Sequence, residues 1–314
     1  MGNARRRESR SALAATGLLL LGAVTSGCSL RTMAVNQLGS AIASGGATFS
    51  SDDDPELVGD ALPFSLKLIE SLLAESPNHT ALLVAASRGF TQYAYGWVEP
   101  VRDEEGERGE AARLRSRRLC LRAREYGLRA LATSIDNFRV RLAADPKAAV
   151  ALARKNDVPA LYWTAAAWGL AISGSKDDLD LMADLPVVEA FISRAAELDP
   201  DFENGAIDTF LITFEASRSA FSKDAGARAR AHFGRAVQRS GGASASPYVA
   251  AAEALAIPDQ NRAEFNELLS RALAMDADKR PEWRLQNILA QRRARWLLAH
   301  ADDFFIESPT GGNQ

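Results

Sequence analysis

Side chains able to do chemistry are few in this chain, and they are scattered. The histidines are His79, His232 and His300, none next to a cysteine and none in a His-Glu-x-x-His arrangement. A metal site or a histidine-based triad therefore has little to be built from. No glycine pattern of the nucleophile-elbow, phosphate-loop or dinucleotide-binding type occurs. Cys120 lies among Arg117, Arg118, Arg122 and Arg124, whose charge would favour its thiolate, but a buried inert thiol is the expectation. Asp177 and Asp178 read as surface-loop acids. We expect no enzyme, no metal and no cofactor. What remains is aromatic. Phe90, Tyr93 and Trp97 fall at i, i+3 and i+7 on one helix face, with Tyr95 on another, and Tyr162, Trp163 and Trp168 crowd a second segment. Such rings either fill a core or line a cavity, where tyrosine adds a hydroxyl that can orient a ligand. Both readings stay open at this stage.

The elements that must position these rings are helices. From Ala160 to Ile172 the chain reads ALYWTAAAWGLAI, with Thr164 the one conventional polar side chain. Its rings point to different sides of a helix, so this helix must be covered on several faces. A polar break and the segment PVVEAFISRAAELDP follow, opened by Pro186 and stopped at Asp199-Pro200, which completes a helical hairpin. Upstream, Pro55 to Glu75 has a helical pattern that Pro63 should kink or divide, and Asn78 can cap a helix running to about Trp97, before Pro100. Gly45 to Asp54 reads as a loop. Val101 to Ala130 carries a run of arginines of the kind that usually forms a solvated helix face, with a contact surface for an acidic partner or an anionic ligand as the other reading. A further helix ends at Ala144. Beyond the hairpin, helices are expected at Glu203 to Arg218, Asp224 to Arg239, Pro247 to Ile257, Arg262 to Met275 and Pro281 to Ala299. No segment alternates convincingly as a strand, so the fold class is all-α.

The chain begins with Arg5, Arg6, Arg7 and Arg10, then an uncharged run with Leu18 to Leu21 at its centre, then Cys28. A positive head, a short apolar middle and small residues before a cleavage point make a secretory leader, and the run is too short to span a bilayer. Val24 to Cys28 resembles the lipobox of bacterial lipoproteins, although Thr25 stands where leucine is usual. That resemblance implies a lipid on Cys28, and Ser29 implies outer-membrane sorting. Leu30, Met33, Ala34, Leu38 and Ile42 then recur at helical spacing. The expected divisions are a leader at 1–27, a lipidated N-terminus and tether at 28–54, a helical domain at 55–305 and a disordered tail at 306–314. A formal net charge of −3 argues against a nucleic-acid partner.

The second helices of successive hairpins share a pattern of small and bulky residues at a fixed distance from a stop. Ser65, Ile69, Leu72 and Pro77 show it. So do Val188, Ile192, Ala195 and Pro200; Ala229, Phe233, Ala236 and Gly241; and Phe265, Leu269, Ala272 and Ala277. In Ser134, Phe138, Arg141 and Pro146 the arginine breaks it. This is the tetratricopeptide-repeat arrangement, in which small residues let helices approach closely. The expectation is a compact solenoid of tetratricopeptide-like hairpins, with an irregular helical bundle as the other reading.

An acylated Cys28 ahead of such hairpins, the stretches FTQYAYGW (Phe90 to Trp97) and ALYWTAAAWG (Ala160 to Gly169), and the closing HADDFF (His300 to Phe305) together resemble the T component of TRAP transporters, the TatT family. The resemblance implies a periplasmic, membrane-anchored lipoprotein that forms a homotrimer and docks with the solute-binding protein of a tripartite ATP-independent transport system. It also implies a pore or cleft in each protomer for a small, hydrophobic ligand, which would make Phe90, Tyr93, Tyr95, Trp97, Tyr162, Trp163 and Trp168 the lining. The alternative is an envelope lipoprotein scaffold that grips a protein segment in its groove.

Overall fold

The computed structural model describes Gln37, Gly39 and residues 46–306, apart from 105 and 219–221. The leader, Cys28 and most of the expected helix at Leu30 to Ser44 lie outside the described residues, as does the tail after Ile306. Gln37 and Gly39 are helical, and Gly39 is buried against Leu82.

All regular structure among the described residues is helical. We number the long helices α1 (Pro55–Glu75), α2 (Thr80–Tyr93), α3 (Glu107–Ser134), α4 (Phe138–Ala144), α5 (Pro146–Ala151), α6 (Val158–Ser173), α7 (Leu185–Leu198), α8 (Ala206–Ala216), α9 (Ala225–Arg239), α10 (Ser246–Ala251), α11 (Arg262–Leu273) and α12 (Arg284–Ala299). Local chemistry sets most boundaries. Asp54 Oδ1 accepts from the Leu57 N–H at 3.0 Å and opens α1, and Asn261 Oδ1 does the same for α11 at 3.1 Å.

Four local expectations are corrected. Residues Gly46–Ser50 form a short helical turn inside the expected loop. Pro63 does not divide α1, which runs through it; one missing N–H is outweighed by the burial of Val58, Leu62, Leu66 and Ile69 on either side. The cap of α2 is His79, whose Nδ1 accepts from the Leu82 N–H at 3.3 Å, and not Asn78. Pro100 does not end the aromatic segment either. It can neither donate to nor fit against the carbonyl of Gly96, four residues back. The backbone widens to π-helical spacing over Ala94–Val98 and continues as Glu99–Arg102.

Most helices lie against their predecessor, while α6 packs most extensively on α3 and α5 lies against α7. As its composition requires, α6 is the inner helix: it buries Leu161, Trp163, Ala165, Ala167, Trp168 and Ile172 against α2, α3 and α7. The crossing is close because the residues there are small. A Cβ on Gly127 would sit 2.0 Å from Thr164 Oγ1 and 3.1 Å from Ser87 Oγ. The repeated pattern residues are core: Ile69, Leu72, Val188, Ile192, Ala195, Ala229, Ala236, Phe265, Leu269 and Ala272 are all buried.

One apolar core runs from Leu66 to Phe214 and a second from Ile212 to Phe305, and α8 contributes to both. A third small cluster joins α1 to α12. Val58 and Leu62 meet Leu285 there, with Trp97 and Leu289 packed alongside. Arg292 pairs with Glu56 at 2.6 Å, and Arg284 Nη1 donates to the Ser51 carbonyl at 3.0 Å. The first and last long helices therefore touch, and the row of hairpins closes on itself.

Candidate functional site

The seven predicted rings divide into two groups. Phe90 is buried, stacked on Tyr126 with centroids 5.9 Å apart and covered by the Arg122 guanidinium at 5.1 Å. Tyr93 stacks on Trp97 at 6.1 Å, and its hydroxyl accepts from Arg115 Nη2 at 3.1 Å. The Trp97 indole donates to the Pro55 carbonyl at 2.9 Å, an approach that only glycine at position 59 permits, since a Cβ there would lie 2.3 Å from Nε1. Trp168 is buried between Phe191 and Arg124, and its indole donates to Asp184 Oδ2 at 3.0 Å. These rings pack helices together. The arginine run of α3 turns out to be neither simply solvated nor free, because Arg115, Arg122 and Arg124 roof aromatic faces.

Tyr95 and Tyr162 behave differently. Tyr95 is 58% exposed, yet its hydroxyl is pushed up to about 12, first by desolvation and then by the Glu253 carboxylate. Tyr162 on α6 is also raised, first by burial and then by Glu203, with Tyr95 near enough to add to the effect and Arg88 opposing it. Glu203 is held above the usual carboxylate range by burial, again against Arg88. Arg88 and Glu203 are each more than a third exposed, and Arg88 lies over the Trp163 ring at 5.5 Å. Tyr162 is in ring contact with Trp163 at 5.0 Å and Phe202 at 5.2 Å. Among the described residues neither tyrosine hydroxyl has a hydrogen-bond partner.

Arg88 from α2, Tyr162 from α6 and Glu203 from the turn before α8 are thus neighbours around Trp163 and Phe202. Near Tyr95 lies a polar clamp. Arg293 of α12 donates to Glu253 Oε1 at 2.8 and 2.6 Å and pairs with Asp103. Glu253 lies in a second π-helical segment, Ala252–Ala256. Arg293 also borders an open cavity of about 630 Å³ lined by Asp103, Glu104, Trp296, His300, Asp303 and Phe304. The Trp296 ring has Arg293 over it at 4.4 Å and His300 stacked on it at 4.3 Å.

Sequence reasoning overlooked Arg88, Glu203, Glu253 and Arg293. A signal existed for the first: Arg88 is the one Asp, Glu, Lys or Arg between Thr80 and Val98. The others become neighbours only through the fold. Cys120 is buried, and its thiol is pushed up to about 12 by burial, which makes it inert as expected.

The raised Tyr95 gives a direct test. The folded chain keeps this proton above pH 10, where an unfolded tyrosine releases it, so the stabilisation is full below about pH 10 and is lost as pH rises toward 12. In a spectrophotometric titration at neutral to mildly alkaline pH, Tyr95→Phe should leave the phenolate absorbance unchanged through about pH 10. Loss of one ordinary tyrosine step near that pH would show that Tyr95 faces bulk solvent.

No helix among the described residues is long and apolar enough to cross a membrane, and none of their His, Cys, Asp and Glu side chains group as metal ligands. Comparison with known proteins bears on the whole chain. It is 32% identical over 267 residues to an uncharacterized protein of Treponema pallidum (strain Nichols), a match covering 82% of this chain and 83% of that one. A family model described as TRAP transporter T-component matches residues 51–305, which includes all the long helices and the two π-helical segments. The chain is therefore a member of the TRAP transporter T-component family.

Proposed function

We propose that this protein is the accessory lipoprotein of a tripartite ATP-independent transport system. In this reading it is held at the outer membrane by a lipid on Cys28, lies in the periplasm, and docks as a homotrimer with the solute-binding protein. The closed row of tetratricopeptide-like hairpins surrounds a hollow that holds or passes a small ligand, and no reaction is catalysed. The observation that carries the reading is family membership, since the TRAP transporter T-component model spans residues 51–305. On this view Tyr95 and Tyr162 contact the ligand, while Phe90, Tyr93, Trp97, Trp163 and Trp168 form the wall behind them.

The alternative, an envelope scaffold, draws support from one feature. Leu57, Phe64 and Leu68 recur at helical spacing on the outer face of α1 and are 60%, 75% and 39% exposed, a stripe suited to protein contact. Native mass spectrometry of the chain taken from its own envelope separates the two. The transport reading expects a co-purifying small molecule whose affinity falls about tenfold or more in the Tyr95→Ala, Tyr162→Ala double variant. Capture of the solute-binding protein should persist in that variant. Partner capture with no small molecule in either form would favour the scaffold.

A further inference from the structure

We propose that the seam between α1 and α12 is a gate: the second half of the molecule swings about α8, and the parting of Asp103 from Arg293 opens the cavity that lies between the two halves. This deepens the reading of the hollow as a ligand chamber and rests on it.

The two halves are joined at two places of different character. At α8 the joint is apolar and continuous with both interiors: Ile207, Leu211 and Phe214 belong to the first core and Ile212 to the second, while α8 packs extensively on α9 and only lightly on α6 and α7. A rotation about an axis along α8 disturbs these contacts least and displaces the seam most. The seam itself holds little apolar surface. Its buried side chains are Val58, Leu62 and Leu285, and its other links are polar: Glu56 with Arg292 at 2.6 Å, the Ser51 carbonyl with Arg284 at 3.0 Å, and Asp103 with Arg293 at 2.5 Å. The side chains of Glu56 and Arg292 are 69% and 42% exposed, so that pair holds weakly and salt screens it. A joint with few buried apolar contacts and exposed ion pairs opens before the cores on either side of it.

The cavity of about 630 Å³ lies on this seam, with Asp103 and Glu104 of the first half on one wall and α12 with the short helix Ala301–Phe304 on the other. Arg293 crosses it. On its own half it donates to Glu253 at 2.8 and 2.6 Å, and across the seam its Nη1 donates to Asp103 Oδ2 at 2.5 Å. Asp103 in turn has a second partner on its own half, Arg102, whose Nε is 3.6 Å away. When the halves part, Arg293 therefore keeps Glu253 and Asp103 keeps Arg102. Breaking a partly buried ion pair is costly chiefly because it strands a bare charge, and neither charge is stranded here. The arrangement is that of a latch whose two parts each rest on their own side when released. Tyr95 lies behind it, since Glu253 and Arg293 both act on its hydroxyl, so an open seam leads to that ring.

The test is the distance between two spin labels on the full chain with Cys28→Ser; Cys120 is buried and takes no label. Phe64→Cys on α1 and Glu267→Cys on α11 place exposed labels on opposite halves, and Phe64→Cys with Val140→Cys on α4 places both on the first half as a control. Raising salt from about 0.1 M to about 1 M shortens the screening length from about 10 Å to about 3 Å, and a second, longer distance should then grow in the first pair. At the lower salt, Arg293→Met and Asp103→Asn should each raise that longer population about tenfold, the expected loss for a charge-assisted hydrogen bond. The control distance should stay fixed throughout. One unchanged distance in the first pair, at both salt concentrations and in both variants, would overturn the gate, and so would lengthening of the control pair to the same extent, which means general loosening. If a variant does not fold by circular dichroism, the salt series on the otherwise native chain decides. The measurement needs no ligand, so a fixed seam sinks the gate and leaves the chamber to the co-purification experiment, whereas a seam that opens in a protein with no co-purifying molecule keeps the hinge and sinks the chamber.

Discussion

Phe191→Ala should lower the stability of the folded chain by about 3–5 kcal/mol, the usual range for removing a large aromatic ring from a filled core. Phe191 is fully buried on α7. It meets Phe138 of α4 edge-on at 6.2 Å and Trp168 of α6 at 6.1 Å. Three helices thus share one ring, and alanine would leave a void bounded by two aromatic side chains that cannot collapse into it. The melting temperature should fall by on the order of 10 °C. Phe191→Leu, which keeps most of the apolar volume, should recover much of the loss. A melt of Phe191→Ala within about 1 kcal/mol of the native chain would mean that this corner is loosely packed, contrary to the ring contacts.

Asp208→Ala should cost about 2–3 kcal/mol, and the damage should be confined to the second half of the molecule. Asp208 on α8 is 2% exposed, a carboxylate that survives burial because α9 surrounds it with donors. Arg235 Nε donates to Oδ1 at 3.0 Å, Arg239 pairs with Oδ2, and His232 Nδ1 lies 2.6 Å from Oδ1. Removing one partner of a buried pair usually costs about 3–5 kcal/mol. The lower figure applies because Arg235 and Arg239 are partly exposed and can turn to water. Because every one of these partners of Asp208 lies on α9, hydrogen exchange should quicken in α9 and α10 while α3 and α6 stay protected. Equal acceleration in α3 would show that the halves unfold as one unit.

Both sites show which parts of the fold the sequence carried. The burial of α6 on several faces was legible because ALYWTAAAWGLAI contains nothing that water could solvate, and the hairpin with α7 was legible from its proline boundaries. The misreadings were local conflicts resolved by tertiary packing. Pro63 and Pro100 each break a helix in isolation, but the apolar residues around them have more to gain from burial than one backbone hydrogen bond is worth. The aromatic residues were found by their type, and helical spacing set Tyr95 apart from Phe90, Tyr93 and Trp97, but which face meets neighbouring helices was not legible. Phe90, Tyr93 and Trp97 share a stripe that faces neighbouring helices, whereas Tyr95 is turned away into open space.

What the chain determines by itself is therefore its helices, their inner and outer faces, and the scarcity of reactive groups, because these depend on periodicity and composition within about 20 residues. Only the tertiary structure decides that α12 returns to α1, that Glu253 and Arg293 stand across from Tyr95, and that Glu203 stops 3.8 Å short of Arg88. Those pairings join residues scores of positions apart. They are set by the angle at which each hairpin packs on the last, a quantity that accumulates along the chain and is written in no single segment of it.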